Sequence, residues 1–174
     1  MDLDAKNGNK LWREAELKEL EQLDEYKVFE DKGPRSNMKG YKKIRVHMVY
    51  DIKHDGRRKA RLVAGGHLTD TPIDSIYLSV ISLWGLRIVI FLAELNKMEI
   101  WTTNVGNAYL EAYTEEKVYI IGDSVFGDRE GHCLVIVKAL YGLRSSGLRW
   151  WERLSKVLIK MGFHPTKAED NIWI

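Results

Sequence analysis

The first half of the chain changes from a helical to a strand-like spacing of its hydrophobic positions. From Lys10 to Tyr26, apolar residues recur every three or four positions among Glu and Lys, which predicts an amphipathic helix that ends before Lys32-Gly33-Pro34. The recurring apolar residues are Trp12, Ala15, Leu20 and Leu23. Charge patterning predicts that the acidic residues of this helix form a solvated face, namely Glu14, Glu16, Glu19 and Glu21.

From Tyr41 to Ala64, apolar and polar residues alternate, which predicts half-buried strands. Asp55-Gly56 predicts a two-residue hairpin turn, because both residues tolerate positive φ. If the basic faces of the two strands coincide, the hairpin presents one positive surface made of Lys43, Arg45, Lys59 and Arg61. Charge alone leaves two interpretations of this surface. It either contacts nucleic-acid phosphates or is a solvated strand face that discourages edge-to-edge pairing.

Two further helices are predicted downstream of a loop-rich connection at residues 67–80. The first, Leu83 to Leu95, is apolar most of the way round and can be capped by Ser82, which predicts a core helix. Its Trp84 and Phe91 are expected in the core or against a partner. The second has an apolar stripe of Leu148, Trp151, Leu154, Leu158 and Met161, with Gly162 as its C-cap.

Three further strands are predicted between and after these helices. Met98 begins a buried strand that runs into a tight turn and a short helix carrying Ala108, Tyr109 and Leu110. Lys117 to Ile121 and Cys133 to Lys138 are short runs rich in β-branched residues, which predicts two more buried strands.

The composition is that of one ordinary globular domain, or a large part of one. The 174 residues are 45% hydrophobic and 30% charged, and this length can bury a sizeable core. A net charge of +2 and a pI near 8.5 are too mild to indicate nucleic-acid binding by themselves. The single Cys133 excludes an intramolecular disulfide and a multi-cysteine zinc site. The histidines also lack metal-ligand spacing.

We expect no targeting or transmembrane segment. Residues 1–10 are polar, without the apolar core of a signal peptide, and are predicted to be a tail ahead of one unit at 11–174. The longest apolar stretch, Leu83 to Leu95, is shorter than the roughly 20 residues that a membrane span needs. The sequence indicates no particular compartment.

Lys59-Ala60-Arg61-Leu62-Val63-Ala64-Gly65-Gly66 resembles the fingers hairpin of Ty1/copia-type retrotransposon reverse transcriptases. The resemblance continues at Asn104-Val105-Gly106-Asn107-Ala108-Tyr109, which is similar to the palm motif of this family. A third match, Leu140 to Trp150, is similar to the family's LYGL signature, with Ser145 and Gly147 in place of the usual glutamine and proline.

The resemblance implies roles for particular residues. It implies nucleotide binding by Lys59, Arg61, Tyr109, Tyr141 and Gly142, where Tyr109 would exclude a 2′-hydroxyl. It also implies nucleic-acid contacts by Arg144 and Arg149, in addition to those expected of Lys43 and Arg45. The alternative for Tyr109 is a core tyrosine, and for Arg149 a solvated helix face.

Asn104 departs from the family at the most important position. The family has a Mg²⁺-binding aspartate there, and an amide supplies an oxygen dipole without the charge that Mg²⁺ favours. The family's second motif, with two adjacent aspartates, would lie beyond Ile174, and the sequence has no Asp-Asp pair. We therefore expect no metal cofactor. Without the family, Asn104 is an ordinary residue capping a turn.

The combined expectation is an α+β, truncated fingers-and-palm domain. It has a basic fingers hairpin at about 41–66, a small palm sheet, and packed helices within a palm portion at about 82–174. Two functions remain open: an inactive structural or interaction subunit of a larger assembly, or a nucleic-acid-binding polymerase fragment completed by another chain. The tryptophans are either anchors for protein partners or members of one core.

Overall fold

The computed structural model describes residues 3–66 and 80–174, so the predicted loop connection at 67–80 lies almost wholly outside the described residues. These ranges contain the helices α1 (Leu3–Asn7), α2 (Leu11–Glu25), α3 (Leu83–Leu95) and α4 (Ser146–Lys160). They contain the strands β1 (Phe29–Pro34), β2 (Lys42–Lys43), β3 (Val46–Ile52), β4 (Arg58–Ala64), β5 (Val118–Ile121) and β6 (His132–Ile136). Short 3₁₀ helices lie at Ala108–Glu111 and Ser124–Arg129. The mixture of helices and small sheets agrees with the predicted class.

Helix α2 confirms the first helical pattern and is anchored by α1. The Asp4 carboxylate of α1 accepts hydrogen bonds from the backbone N–H groups of Trp12 at 3.0 Å and Arg13 at 2.8 Å. These bonds satisfy two donors that the first turn of α2 leaves free. The predicted solvated acidic face is wrong at Glu19, which is only 9% exposed. Glu19 follows Ala15 and precedes Leu23 by four residues each, so it lies on the buried stripe of the helix.

The strands form two sheets. A four-stranded sheet has the order β1-β6-β5-β2, in which β2 pairs with β5 in parallel and the other neighbours are antiparallel. Strands β3 and β4 form a separate antiparallel hairpin. The predicted continuous strand from Tyr41 is therefore wrong, because it divides at Ile44. That side chain is 2% exposed in the core, and its N–H donates to the Tyr119 carbonyl at 2.9 Å.

The loop of the hairpin is one residue longer than predicted. Lys53 pairs with Arg57, so His54, Asp55 and Gly56 form a three-residue loop, and only Gly56 has a positive φ, of 81°. The Gly56 N–H donates to the Lys53 carbonyl at 2.8 Å. A turn followed by a left-handed glycine is the usual form of a three-residue hairpin loop.

The core lies between α2, the hairpin and the four-stranded sheet. Leu23 of α2, Leu62 of β4, Ile120 of β5 and Leu134 of β6 are each no more than 3% exposed within one hydrophobic cluster. Burial of these side chains confirms the predicted strands at 117–121 and 133–138, which correspond to β5 and β6. Cys133 is also buried.

Helix α3 has the predicted ends but not the predicted burial. Its N-cap Ser82 accepts a hydrogen bond from the Gly85 N–H at 2.9 Å, as predicted. Gly85 is the buried residue of this helix, whereas Trp84 is 72% and Phe91 64% exposed. The segment near Glu169 and Ile172 packs against its N-terminus. A helix in the core needs neighbouring elements packed against several of its sides. The described residues provide such a neighbour at the N-terminal end of α3.

The predicted buried strand from Met98 is wrong. Residues 98–105 form no strand, and Met98, Ile100 and Trp101 are 64%, 56% and 85% exposed. No strand within residues 3–66 or 80–174 pairs with this segment, so its backbone forms no inter-strand hydrogen bonds there. The short helix predicted after it does form, at Ala108–Glu111. Because Trp84 and Trp101 are exposed, the alternative of one core containing all six tryptophans is also wrong.

Helix α4 confirms the last helical pattern. Four residues of the predicted stripe, Leu148, Trp151, Leu154 and Leu158, are partly buried, but Met161 is 66% exposed because it caps the end of the helix. Gly162 follows with φ 96° and bonds to the Ile159 carbonyl, as expected of a C-terminal glycine. No helix in the described ranges combines the length and apolarity needed to cross a bilayer.

Candidate nucleic-acid interface

The open edge of β4 is covered by two different elements. Glu19 of α2 accepts a hydrogen bond from the Leu62 N–H at 3.0 Å, and the Tyr141 carbonyl accepts one from the Ala64 N–H at 2.7 Å. An uncovered strand edge exposes such donors to unwanted pairing. This arrangement fixes the same edge of β4 to α2 at Leu62 and to the turn before α4 at Ala64.

Two glycines allow the hairpin and this turn to touch through their backbones. A Cβ on Gly142, whose φ is 91°, would overlap the Ala64 carbonyl oxygen, and a Cβ on Gly66 would overlap the Gly142 carbonyl oxygen. The Arg144 Nε donates to the Gly66 carbonyl at 3.1 Å. The two stretches Lys59 to Gly66 and Leu140 to Trp150 are therefore in direct contact, although about 75 residues separate them in the sequence.

Two predicted nucleotide-binding tyrosines lie together beside this contact. The rings of Tyr109 and Tyr141 are tilted by 49°, with their centroids 5.1 Å apart. Asn107, with φ 50°, begins the 3₁₀ helix that carries Tyr109. Burial raises the pKa of the Tyr141 hydroxyl, although the nearby positive charge of Arg61 lowers it. The Tyr141 hydroxyl therefore stays a neutral hydrogen-bonding group near neutral pH.

Lys59 and Arg61 share one face of β4, as predicted. They lie opposite Asp51 and Val49 of β3, respectively. Burial lowers the pKa of Lys59, and the positive charges of Arg61 and Lys53 lower it further, while Glu19 and Asp51 partly compensate. The positive charge on this part of the hairpin is thus only partly neutralised within the protein.

Lys43 belongs to β2 of the four-stranded sheet and not to the hairpin that carries Lys59 and Arg61. Arg45 lies beside the hairpin, because its carbonyl accepts a hydrogen bond from the Gly65 N–H at 2.8 Å. Nucleic-acid contacts by Lys43, Arg45 and Arg144 stay predictions. The alternative of a solvated helix face for Arg149 is wrong. Its side chain is 13% exposed and pairs with Glu115 at 2.5 Å and Glu152 at 2.9 Å.

Ser145, one of the departures from the family signature, has an internal role. It is 2% exposed, and both its N–H and its hydroxyl donate to the Glu116 carboxylate, at 3.0 and 2.6 Å. The residue therefore fastens the start of α4 to the segment before β5.

The residues around Asn104 do not fit the Mg²⁺ that the resemblance implies. Asn104 is exposed and lies outside any strand. No group of three or more His, Cys, Asp or Glu side chains in the described ranges is placed to hold a metal ion. Mg²⁺ prefers anionic oxygen ligands, and an amide alone is a poor donor set.

Glu19 is the site residue that the sequence interpretation missed. Burial raises its pKa, although the Leu62 hydrogen bond and then the charges of Lys59 and Arg61 act in the opposite direction. The sequence feature that indicates its burial is its spacing of four residues from Ala15 and from Leu23. This spacing places Glu19 on the apolar stripe of α2 although its side chain is acidic.

Comparisons with known proteins show the family of the chain. Residues 34–174 match the family described as Reverse transcriptase (RNA-dependent DNA polymerase). The chain is 31% identical over 151 residues to the Transposon Ty1-BL Gag-Pol polyprotein, and 30% identical to the Ty1-LR2 Gag-Pol polyprotein, both of Saccharomyces cerevisiae. Each match covers 84% of this chain and 8% of the polyprotein. No solved structure matches the chain.

The chain has a mixed α and β structure with small sheets, which is compatible with the family that the three sequence motifs resemble. The family match covers most of the chain, and the relatives are retrotransposon polyproteins. The chain therefore belongs to the reverse transcriptase (RNA-dependent DNA polymerase) family and is a Ty1/copia-like fragment of it.

Proposed function

We propose that this chain is a catalytically inactive, reverse-transcriptase-like protein that acts as a structural or interaction subunit of a larger assembly. In the terms of the family, residues 41–66 are its fingers hairpin and residues 82–174 its palm portion. The proposal concerns this chain alone, since it spans 8% of the polyproteins that it matches.

The observation that carries the proposal is the exposed apolar surface on α3 and the segment after it. We define the α3 surface by side chains between 56% and 85% exposed, namely Leu83, Trp84, Phe91, Leu95, Met98, Ile100 and Trp101. Burying one such side chain contributes about 1.5–3 kcal/mol. Contiguous apolar patches of this kind mark interaction sites, and tryptophans are frequent anchors in protein interfaces. The occupant that we propose is another protein surface with a complementary apolar patch.

The chemistry at position 104 supports the loss of catalysis. Two-metal phosphoryl transfer relies on carboxylates that hold both ions beside the reacting oxygens. Replacing one of them with Asn104 removes a preorganised charge, and comparable losses cost about 3 kcal/mol or more in the transition state.

A second candidate function is a nucleic-acid-binding polymerase fragment that another chain completes. It is favoured by the positive charge of Arg61 near the Tyr141 hydroxyl and by the contact between the Tyr141 and Tyr109 rings. Lys59 adds a second positive charge on the same face of β4 as Arg61. Phosphates and stacked bases are bound by such combinations. In this candidate function the hairpin still binds nucleic acid, whereas the proposed subunit role does not require nucleic-acid binding.

The proposed subunit role can be tested on the purified chain by size-exclusion chromatography with light scattering. We expect concentration-dependent self-association or aggregation, relieved in the double variant Trp84→Gln/Phe91→Gln, which removes two exposed aromatic groups. The matched control is Ile52→Thr, because Ile52 is 54% exposed but lies on the separate hairpin sheet. A stable monomer whose behaviour neither variant alters would contradict the proposal.

A further inference from the structure

One edge of strand β3 pairs with β4, and the other edge pairs with no strand in the described residues. We call this unpaired edge of residues Val46–Ile52 the β3 edge. The register with β4 is continuous from Val46 to Ile52, so no bulge interrupts the strand. The strand contains neither proline nor lysine, which often protect an exposed edge from pairing. The β3 edge is therefore long, regular and unprotected.

Alternate backbone groups of β3 point to this edge. In an antiparallel pair, residues that bond to the neighbouring strand alternate with residues whose N–H and C=O groups point away from it. The Lys53 N–H donates to the Arg57 carbonyl at 3.0 Å, so the odd-numbered residues of β3 bond to β4. The groups that point to the β3 edge belong to the even-numbered residues Val46, Met48, Tyr50 and Ile52. Within residues 3–66 and 80–174, these groups have no backbone partner.

Strand β3 is complementary to itself in one antiparallel register. In this register, Val49 lies opposite Val49 of a second copy. Met48 then lies opposite Tyr50, and Val46 opposite Ile52. Both members of each pair direct their N–H and C=O groups to the shared edge, so each pair can exchange two hydrogen bonds. A shift by one residue would place outward groups opposite inward ones and lose these bonds.

The same register brings opposite charges together. His47 lies opposite Asp51 of the other copy on both sides of the central Val49, and both side chains are exposed. Within the hairpin, Asp51 already lies opposite Lys59. The Asp51 carboxylate therefore lies between a lysine of its own copy and an imidazole of the other, and opposite-charge neighbours of this kind stabilise a sheet. A shift by two residues would place Asp51 opposite Val49 and lose this pairing.

Pairing at the β3 edge also covers apolar side chains. Val49, Tyr50 and Ile52 are 39%, 40% and 54% exposed. β-Branched and aromatic side chains stabilise a sheet through contacts with their cross-strand neighbours. A two-stranded hairpin is marginally stable by itself, whereas sheets of three or more strands with a hydrophobic face are stable. Joining two hairpins therefore stabilises both of them.

We propose that a second copy of this chain pairs with the β3 edge. The two hairpins form one four-stranded antiparallel sheet of order β4-β3-β3-β4, with a two-fold axis at Val49. Such an interface uses the same surface of both copies, so each contact occurs twice. The outer edges of the new sheet are the β4 edges, which Glu19 and the Tyr141 carbonyl already cover. The β3 edge is separate from the α3 surface, so this dimer does not depend on the proposed subunit role.

Cysteine crosslinking of the full chain tests this register. In Val49→Cys, the two cysteines form a non-hydrogen-bonded pair with Cα atoms about 4.5 Å apart, a distance that a disulfide bridges. The matched control is Asp51→Cys, on the same face of the same strand. Its two cysteines lie four residues apart along the paired strands, roughly 13 Å, which is too far for a disulfide. Both variants keep the buried Cys133.

Under mild oxidation, we expect Val49→Cys to form about tenfold more covalent dimer than Asp51→Cys, because only the first pair is within disulfide distance. Adding Ile52→Pro to Val49→Cys should lower the yield by about tenfold, because proline removes an outward N–H without removing a bond to β4. Far-ultraviolet circular dichroism checks that each variant is folded.

Association through the α3 surface does not produce this difference, since both cysteine variants retain that surface. Failure of the proposed subunit role therefore leaves the crosslinking result unchanged. The dimer is overturned if Val49→Cys crosslinks no more than Asp51→Cys, or if Ile52→Pro leaves the yield unchanged in a folded protein.

Discussion

Two substitutions of Glu19 separate the contribution of its hydrogen bond to β4 from the contribution of its negative charge. Its side chain lies on α2, is 9% exposed, and accepts the Leu62 N–H at 3.0 Å. Glu19→Gln keeps an oxygen acceptor and removes the charge. Glu19→Ala removes both the acceptor and the charge.

The structure predicts very different costs for these two changes. In Glu19→Ala, the Leu62 N–H, on a residue only 3% exposed, loses its acceptor, which costs about 1–3 kcal/mol. Loss of a buried methylene adds about 0.8 kcal/mol. We expect a decrease of roughly 2–4 kcal/mol in the free energy of unfolding. Glu19→Gln should lie within about 1 kcal/mol of the unmodified chain, since the acceptor remains.

The pH dependence follows from the pKa of Glu19. Burial raises this pKa above its ordinary value of 4.5, so the folded state holds the proton more tightly than the unfolded state. The stability from this group is fully present below the unfolded pKa and is lost as the pH rises through the folded pKa. The stability of Glu19→Gln relative to the unmodified chain should therefore increase between about pH 4 and pH 7.

Urea unfolding followed by far-ultraviolet circular dichroism measures these differences. Glu21→Gln is the matched control, because it removes the same charge from an exposed position on α2. The reasoning is refuted if Glu19→Gln destabilises as much as Glu19→Ala. It is also refuted if the advantage of the Gln variant falls as the pH rises.

Three further predictions concern other parts of the chain. Gly142→Ala should lower the free energy of unfolding, measured with urea, by at least about 2–3 kcal/mol, because it combines a strained φ with overlap at the Ala64 carbonyl. The control Gly127→Ala, at φ 58° with open space around the new Cβ, should lower it by about 1 kcal/mol. If Lys59 and Arg61 contact phosphates, fluorescence anisotropy should show weak oligonucleotide binding whose affinity falls steeply between about 50 and 200 mM salt. The variant Lys59→Glu/Arg61→Glu should reduce this binding, and binding unchanged by that variant would contradict the assignment. Acrylamide should quench part of the tryptophan fluorescence of the isolated chain strongly, and Trp84→Phe/Trp101→Phe should remove that part, because these rings are 72% and 85% exposed; uniformly weak quenching would contradict their exposure.

Local patterns predicted those elements whose burial and pairing lie within the described chain. Helix α2 and the strands β5 and β6 follow directly from the spacing of their apolar residues, and each contributes to the same core. The apolar character of α3 was equally clear, but burial also requires an element that covers the helix. Hydrophobic composition does not indicate whether that element belongs to the same chain.

The motifs contain Tyr109, Tyr141 and Gly142, and these residues lie close together in the fold. Nucleotide binding by them stays a prediction. The division of the basic residues depends on Ile44, whose entry into the core separates Lys43 from the hairpin. Glu19 was missed because a charged residue on a buried stripe is stable only with a specific partner, and the Leu62 N–H comes from 43 residues away. Such partners are tertiary contacts, and periodicity contains no information about them.

Primer extension is the most direct test of the central proposal, that this chain retains the family frame without its catalysis. The purified chain is incubated with an RNA template, a DNA primer, all four deoxynucleotides, and Mg²⁺ or Mn²⁺, beside the Asn104→Asp variant and a heat-inactivated control. We predict no extension by either folded protein, because one restored carboxylate still leaves the two-metal site without its other acidic ligands. Extension by the unmodified chain above the heat-inactivated control would contradict the account.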